Sequence, residues 1–300
     1  MIRSHLFAIV VPVSSSQVEP SARTALITGA GRGFGRALAI GLLERGFHVS
    51  LAVRDPAVVL ETLRSSLPHT LAARLSAVRV DLASFASVDS LVRSWTLHGK
   101  KLDLLVNNAA VCRWSETQTA DGFEESLQVN CLAPLRLTFG LSPVISASRL
   151  ATVLNIGTVP VHLGSSAFTL YLPEARYDMV VAYRRSKAML GALSLEMAKL
   201  PRFEGSRFFY MNPGLMRTRL GVENWIAKFG SVISYPFAQD PMSAAEKLLK
   251  NMELKLHNSV GHWPQHDHEV HDFIAPALSD STNRLLLWRN TCSVVENHQN

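Results

Sequence analysis

Short apolar runs alternate with amphipathic stretches along most of this chain. Thr24–Thr28 holds the apolar run Ala25-Leu26-Ile27 and predicts a strand buried on both faces. Gly33–Arg45 repeats apolar residues on one face and predicts a helix, with Gly46 as its stop. The alternation continues with a strand over His48–Val53 and a helix from Pro56 to about Leu67, Pro56 being suited to a first turn. Further strands are predicted over Leu75–Val80, Leu102–Val106, Leu150–Ile156 and Ser206–Met211. Further helices are predicted over Ser87–Leu97, Ala182–Lys199 and Ser243–Leu256. The segment from Thr119 to about Ser148 reads as mostly helical, bent near Pro134 and stopped before Pro143. Strands alternating with helices predict an α/β protein with right-handed βαβ units. The sheet is doubly wound and mostly parallel, with helices on both faces. One such domain over residues 23–282 is expected, after an extension over 1–22 and before a tail over 283–300 that shows little pattern.

The first strand runs into Thr28-Gly29-Ala30-Gly31-Arg32-Gly33-Phe34-Gly35, and the first helix follows at once. Strand, glycine-rich turn and helix, in that order, make a dinucleotide site. The glycines let backbone approach a pyrophosphate, and the helix start offers unpaired N–H groups and a positive dipole end. Ligands of a doubly wound sheet lie beyond the carboxyl ends of its strands. That rim collects the glycine turn, Arg54, Asp81, Asn107-Asn108, Asn155 to Thr158 and Asn212-Pro213-Gly214.

Tyr183 and Lys187 are four residues apart, hence on one face of a helix. A phenol is a weak acid, with an ordinary pKa of about 10. A nearby fixed cation favours the phenolate, which suits the pair to exchange a proton with a carbonyl or alcohol oxygen.

Composition narrows the partners. The chain has 300 residues, 47% hydrophobic and 18% charged, a soluble composition with ample core. The net charge of +6 comes from scattered residues without aromatic interleaving, so no nucleic-acid partner is expected. Leu6–Val11 is too short to span a bilayer and Val13-Ser14-Ser15-Ser16 is a poor cleavage site. Cys112, Cys131 and Cys292 lie far apart, which favours a reducing, cytoplasmic setting without a disulfide framework or zinc site. His262, His266, His268 and His271, with Asp267 and Asp272, fit no strong metal spacing, so no metal is expected.

Taken together, Thr28–Gly35, Asp81-Leu82, Asn107-Asn108-Ala109-Ala110, Asn130, Tyr183-x-x-x-Lys187 and Asn212-Pro213-Gly214 resemble the short-chain dehydrogenase/reductase family, of the one-domain type with a Rossmann-type fold. The resemblance covers roughly Thr24 to Thr218. It implies that Tyr183 is the general acid–base, that Lys187 lowers its pKa and holds the nicotinamide ribose, and that Asn130 positions a relay water. It implies cofactor contacts from Gly29, Gly31, Arg32, Gly33, Phe34, Gly35, Arg54, Asp81, Leu82, Asn108, Ala109, Pro213, Gly214 and Thr218, with Asp81 on the adenine; Asn108 serves there or as a strand-end cap. Where the family usually has serine after the fifth strand the chain reads Asn155-Ile156-Gly157-Thr158, which leaves Thr158 to hold the substrate oxygen, and Ala110 replaces a more usual glycine. The long stretch from Thr158 to Tyr183 is similar to that of retinol-dehydrogenase-like, carbonyl-reductase-like and fungal-type reductases. Within it Phe168, Tyr171 and Tyr177 read as wall packing. The family pairs through the helices of Thr119–Ser148 and of Tyr183, which implies a homodimer or homotetramer.

Arg54 stands where an acidic residue would favour NAD, and Arg32 lies in the turn. Two guanidinium groups suit a ribose 2′-phosphate, so NADP is favoured over NAD, with Asp55 the residue that would reverse this. The expected reaction interconverts a carbonyl and an alcohol on a fairly hydrophobic small molecule. A binding-only member of the fold and a lyase or epimerase using the same Tyr–Lys pair are the alternatives.

Overall fold

A computed structural model describes residues 22–148, 151–158, 168–170, 177–214, 239–258 and 276–296. Six strands make one parallel sheet: β1 (Thr24–Thr28), β2 (His48–Val53), β3 (Leu75–Arg79), β4 (Leu104–Asn107), β5 (Thr152–Ile156) and β6 (Arg207–Met211). Their order is β3-β2-β1-β4-β5-β6, doubly wound outward from β1 and β4. The register pairs Thr28 with Ala52, Asn107 with Asn155 and Ile156 with Met211, which brings the strand ends to a common rim.

Helices cover both faces. On one lie α1 (Gly33–Glu44) and α2 (Pro56–Arg64); the short α3 (His69–Ala72) links α2 to β3. On the other lies α4 (Phe85–Leu97), then the turn α5 (Glu125–Leu127), a π-helical turn over Gln128–Leu132, α6 (Ala133–Gly140), α7 (Ser142–Ser146) and the long α8 (Met179–Ala198). Among the described residues, three helices follow β6: α9 (Pro241–Asn258), packed on α1, then α10 (Pro276–Ser279) and α11 (Ser281–Glu296), the last packed on α6 and α8. Two apolar layers result. Leu38, Leu42, Leu104 and Leu248 lie in one, and Leu91, Leu105, Leu135 and Leu193 in the other.

Several boundaries differ from expectation for local reasons. The chain over 119–124 is a turn, with Gly122 at φ +85° and a bridge between Gln118 and Glu124. The helix begins only where the Glu124 carboxylate accepts from the N–H groups of Ser126 and Leu127. As expected, α6 stops before Pro143, at Gly140; Pro143 then lies in the first turn of α7, where no proline N–H is needed. Helix α2 ends at Arg64, short of Leu67, and α4 starts earlier, at Phe85, on a Ser84 cap. The patternless end of the chain is helical through Glu296. In α11, Leu287, Thr291 and Val295 are buried, and the buried Arg284 donates to Glu196 of α8 at 2.9 Å. Arg136 of α6 donates to the Val294 carbonyl at 2.7 Å. These contacts set α11 across the two helices that the resemblance offers for pairing.

Candidate active site

The glycine turn is clamped to the end of β4. Thr28 Oγ1 accepts from the N–H groups of Asn108 and Ala109 at 3.0 and 3.1 Å. Asn108 Nδ2 donates to the carbonyls of Thr28 and Gly29 at 2.8 and 3.2 Å, so Asn108 caps the strand end. A Cβ at Gly29 would lie 2.8 Å from Ala109 Cα, and one at Gly35 would lie 2.4 Å from Asn108 Nδ2. These two glycines serve the close approach of turn and strand. Helix α1 opens behind Arg32 with no side-chain cap and no acidic residue in its first turn. Its N–H groups and dipole end therefore remain for an anion. A phosphate-bearing nucleotide fits this cradle.

Around it the structure places the other sequence candidates. Arg32, at the N-terminus of α1, and Arg54, directly beyond β2, are both exposed on adjacent strand ends. Asp81 is half-buried and its carboxylate accepts from the Ala83 N–H at 3.0 Å. Pro213 and Gly214 follow β6, where Asn212 Oδ1 accepts from the Gly214 N–H at 3.0 Å. Gly31 and Gly33 lie half-buried in the turn, Gly33 at φ +56°. The side chains of Phe34 and Leu82 point into the two apolar layers, which leaves only their backbone for a ligand. Thr218, Tyr171 and the histidines of 262–271 lie outside the described residues.

Asp178 caps α8 by accepting from the Val181 N–H at 2.9 Å. One turn on, α8 carries Tyr183 and Lys187. Lys187 is fully buried and donates to the Ile156 carbonyl at 2.8 Å. Burial pushes its pKa down to about 8. Burial pushes Tyr183 up to about 12, and the Cys112 thiol group acts in the same direction. Desolvation is thus the largest influence on the phenol, and it acts against the lowering expected from the Lys187 cation. Asn130 sits on the π-helical turn, a local widening common at functional sites. Its Oδ1 accepts from the Val111 N–H at 2.8 Å, and its Nδ2 donates to the Val111 carbonyl at 2.9 Å and to Ser186 Oγ at 3.0 Å. Asn130 therefore ties the loop after β4 to the helix of Tyr183. Thr158 is half-buried just past β5. Phe168 is core, and the Tyr177 hydroxyl donates to the Arg113 carbonyl at 3.1 Å.

The short chain dehydrogenase model matches residues 23–226, well over half of the chain. The chain belongs to the short-chain dehydrogenase family. Among curated relatives, mouse retinol dehydrogenase 13 is 33% identical over 66% of this chain and 60% of its own length. Human retinol dehydrogenase 12 is 30% identical over 69% of this chain and 66% of its own length. This chain thus spans less than two thirds of either relative. Among solved structures, the Pseudomonas aeruginosa RhlG/NADP active-site complex is 28% identical, covers 75% of this chain and 86% of its own, and superposes with a TM-score of 0.56. A short-chain dehydrogenase from Streptomyces avermitilis, 23% identical over 92% of this chain and 98% of its own, shares the fold at a TM-score of 0.58.

In this member of the family, Tyr210 and Ser186 are the neighbours of the candidate site that sequence reasoning passed over. Ser186 was detectable from its place inside Tyr183-x-x-x-Lys187. Tyr210 lies 52 residues beyond its partner Thr158, and no local signal links them. Among the described residues no helix is long and apolar enough to cross a membrane.

Proposed function

We propose that the chain is an NADP(H)-dependent oxidoreductase that interconverts a carbonyl and an alcohol on a hydrophobic small molecule. What supports this reading is that Asn130 bonds Ser186, between Tyr183 and Lys187 on one helix, that Lys187 reaches the end of β5 two residues before Thr158, and that α1 opens with an uncapped helix start. The exposed Arg32 and Arg54 support a 2′-phosphate, as does the RhlG/NADP complex among its structural relatives. The retinol dehydrogenases among the relatives support a long apolar alcohol or aldehyde.

The nucleotide would rest on the N–H groups of α1, with Arg32 and Arg54 at its ribose phosphate, and would supply or accept the hydride. The Thr158 hydroxyl would hold the substrate oxygen by donating a hydrogen bond. Tyr183, kept protonated at neutral pH by burial, would give its proton to that oxygen during reduction. Lys187, still largely cationic at pH 7, would hold the ribose and steady the phenolate left behind. Asn130 would keep the Val111 loop and α8 in register, and with them the wall facing Tyr183. The wide spacing of Cys112, Cys131 and Cys292 supports a reducing compartment, and the packing of α11 supports one catalytic unit that continues to Glu296. Oxidation of NADPH on addition of all-trans-retinal tests the reading, with loss of that oxidation in Tyr183→Phe as its control.

A further inference from the structure

Gly157 and Tyr210 are shaped to each other. A Cβ at position 157 would lie 2.2 Å from Cζ and 2.3 Å from Cε1 of Tyr210, so no side chain fits there while that ring is present. Across the ring, a Cβ at Gly191 of α8 would lie 3.1 Å from Tyr210 Cε2. The ring of β6 is thus sandwiched between the end of β5 and the helix of Tyr183. Its hydroxyl is buried and engaged twice. It accepts from the Thr158 N–H at 3.3 Å and donates to the Lys187 carbonyl at 3.1 Å. Ordinary core packing needs neither bond, and a phenylalanine would fill the same volume.

We propose that Tyr210 is a positioning residue of the active site: its hydroxyl latches the backbone of Thr158 to that of Lys187, and Gly157 is the space that admits its ring. The inference rests on the oxidoreductase reading for its catalytic meaning, and on geometry alone for the latch. Burial holds this phenol neutral, well above the ordinary tyrosine range, so the latch keeps its proton across the pH range of turnover. It also gives the unusual Gly157-Thr158 pair a physical reason. The position before Thr158 gives up its side chain, and a distant tyrosine supplies the anchor.

Tyr210→Phe keeps the ring and removes the hydroxyl. Three readouts are taken well below the melting temperature: amide hydrogen exchange of the peptide holding Thr158, NADPH affinity, and kcat and KM with NADPH and all-trans-retinal. The latch predicts faster exchange at Thr158, unchanged NADPH affinity, and a kcat lower by roughly tenfold, the equivalent of one lost hydrogen bond. A merely structural role would lower the melting temperature and leave kcat and its pH profile in place. In parallel, Gly157→Ala is predicted to lose melting temperature, and Gly157→Ala with Tyr210→Ala to regain part of it. Unchanged exchange at Thr158 in Tyr210→Phe, or wild-type kcat in that variant, overturns the proposal. If the wild-type protein oxidises no NADPH with any aldehyde offered, the oxidoreductase reading fails instead. Exchange and the double variant then still decide whether the latch exists.

Discussion

Lys187 Nζ donates to the Ile156 carbonyl at 2.8 Å, so the cation of α8 is fixed on the last residue of β5. That bond holds the helix of Tyr183 against the strand that leads to Thr158. It also leaves an ammonium group wholly buried, at a cost in stability. The folded-state pKa is about 8 against an ordinary 10.5. Between these values the unfolded chain binds a proton that the folded chain lacks, so this group makes stability rise with pH across that window. Below about 8 the buried charge costs roughly 3 kcal/mol. Lys187→Met is therefore predicted to melt higher than wild type at neutral pH while losing turnover, and most of the difference should vanish by about pH 10. Thermal melts at the two pH values check this; a variant less stable than wild type at neutral pH would contradict it.

The proposed nucleotide choice rests on Arg54. NADPH is predicted to bind wild-type protein at least roughly tenfold more tightly than NADH, since a guanidinium group meets a phosphate with several charge-assisted donors. Arg54→Asp should weaken NADPH and strengthen NADH, read by side-by-side fluorescence titration of the two nucleotides. Tighter NADH binding by the wild type would mean that Asp55, the neighbouring exposed residue, faces the ribose.

Helix α11 is structural. Arg284 and Glu196 are 6% and 3% exposed in their side chains and pair at 2.9 Å, and Arg284 also donates to the Leu278 carbonyl at 2.9 Å. Arg284→Ala strands a buried carboxylate, which Lys199 still meets at 2.7 Å from a more exposed position. The expected loss is at the lower end of roughly 3–5 kcal/mol. Urea unfolding measures it, and a loss under about 1 kcal/mol would show that α11 adds little.

The parallel sheet was legible because its strands are buried on both faces and carry unbroken apolar runs; β1 and β2 have the predicted limits residue for residue. The glycine turn and the Tyr183–Lys187 pair were legible because their chemistry is local. Helix α11 was not, because its buried stripe contains Arg284 and Thr291 and so carries no apolar period. The turn over 119–124 was misread because its apolar Phe123 sits in what looked like a helical stripe, while Gly122 breaks it. The desolvation of Tyr183 was not legible, because it comes from the closed fold, whereas a cation four residues away is visible in sequence. Tyr210 was missed because its two partners come from β5 and α8, and only the closed fold brings them together.

In the proposed reaction Tyr183 moves a proton at a nucleotide-dependent oxidoreductase site. The most direct measurement follows NADPH oxidation by wild type and Tyr183→Phe with all-trans-retinal, alongside NADPH affinity and melting temperature. The wild type is expected to oxidise NADPH. Tyr183→Phe is expected to retain fold and NADPH binding while losing turnover by at least roughly a hundredfold, the usual contribution of a positioned acid. Equal rates in the two proteins would contradict the assignment of Tyr183, and failure of the folded wild type to bind NADPH would contradict the oxidoreductase reading itself.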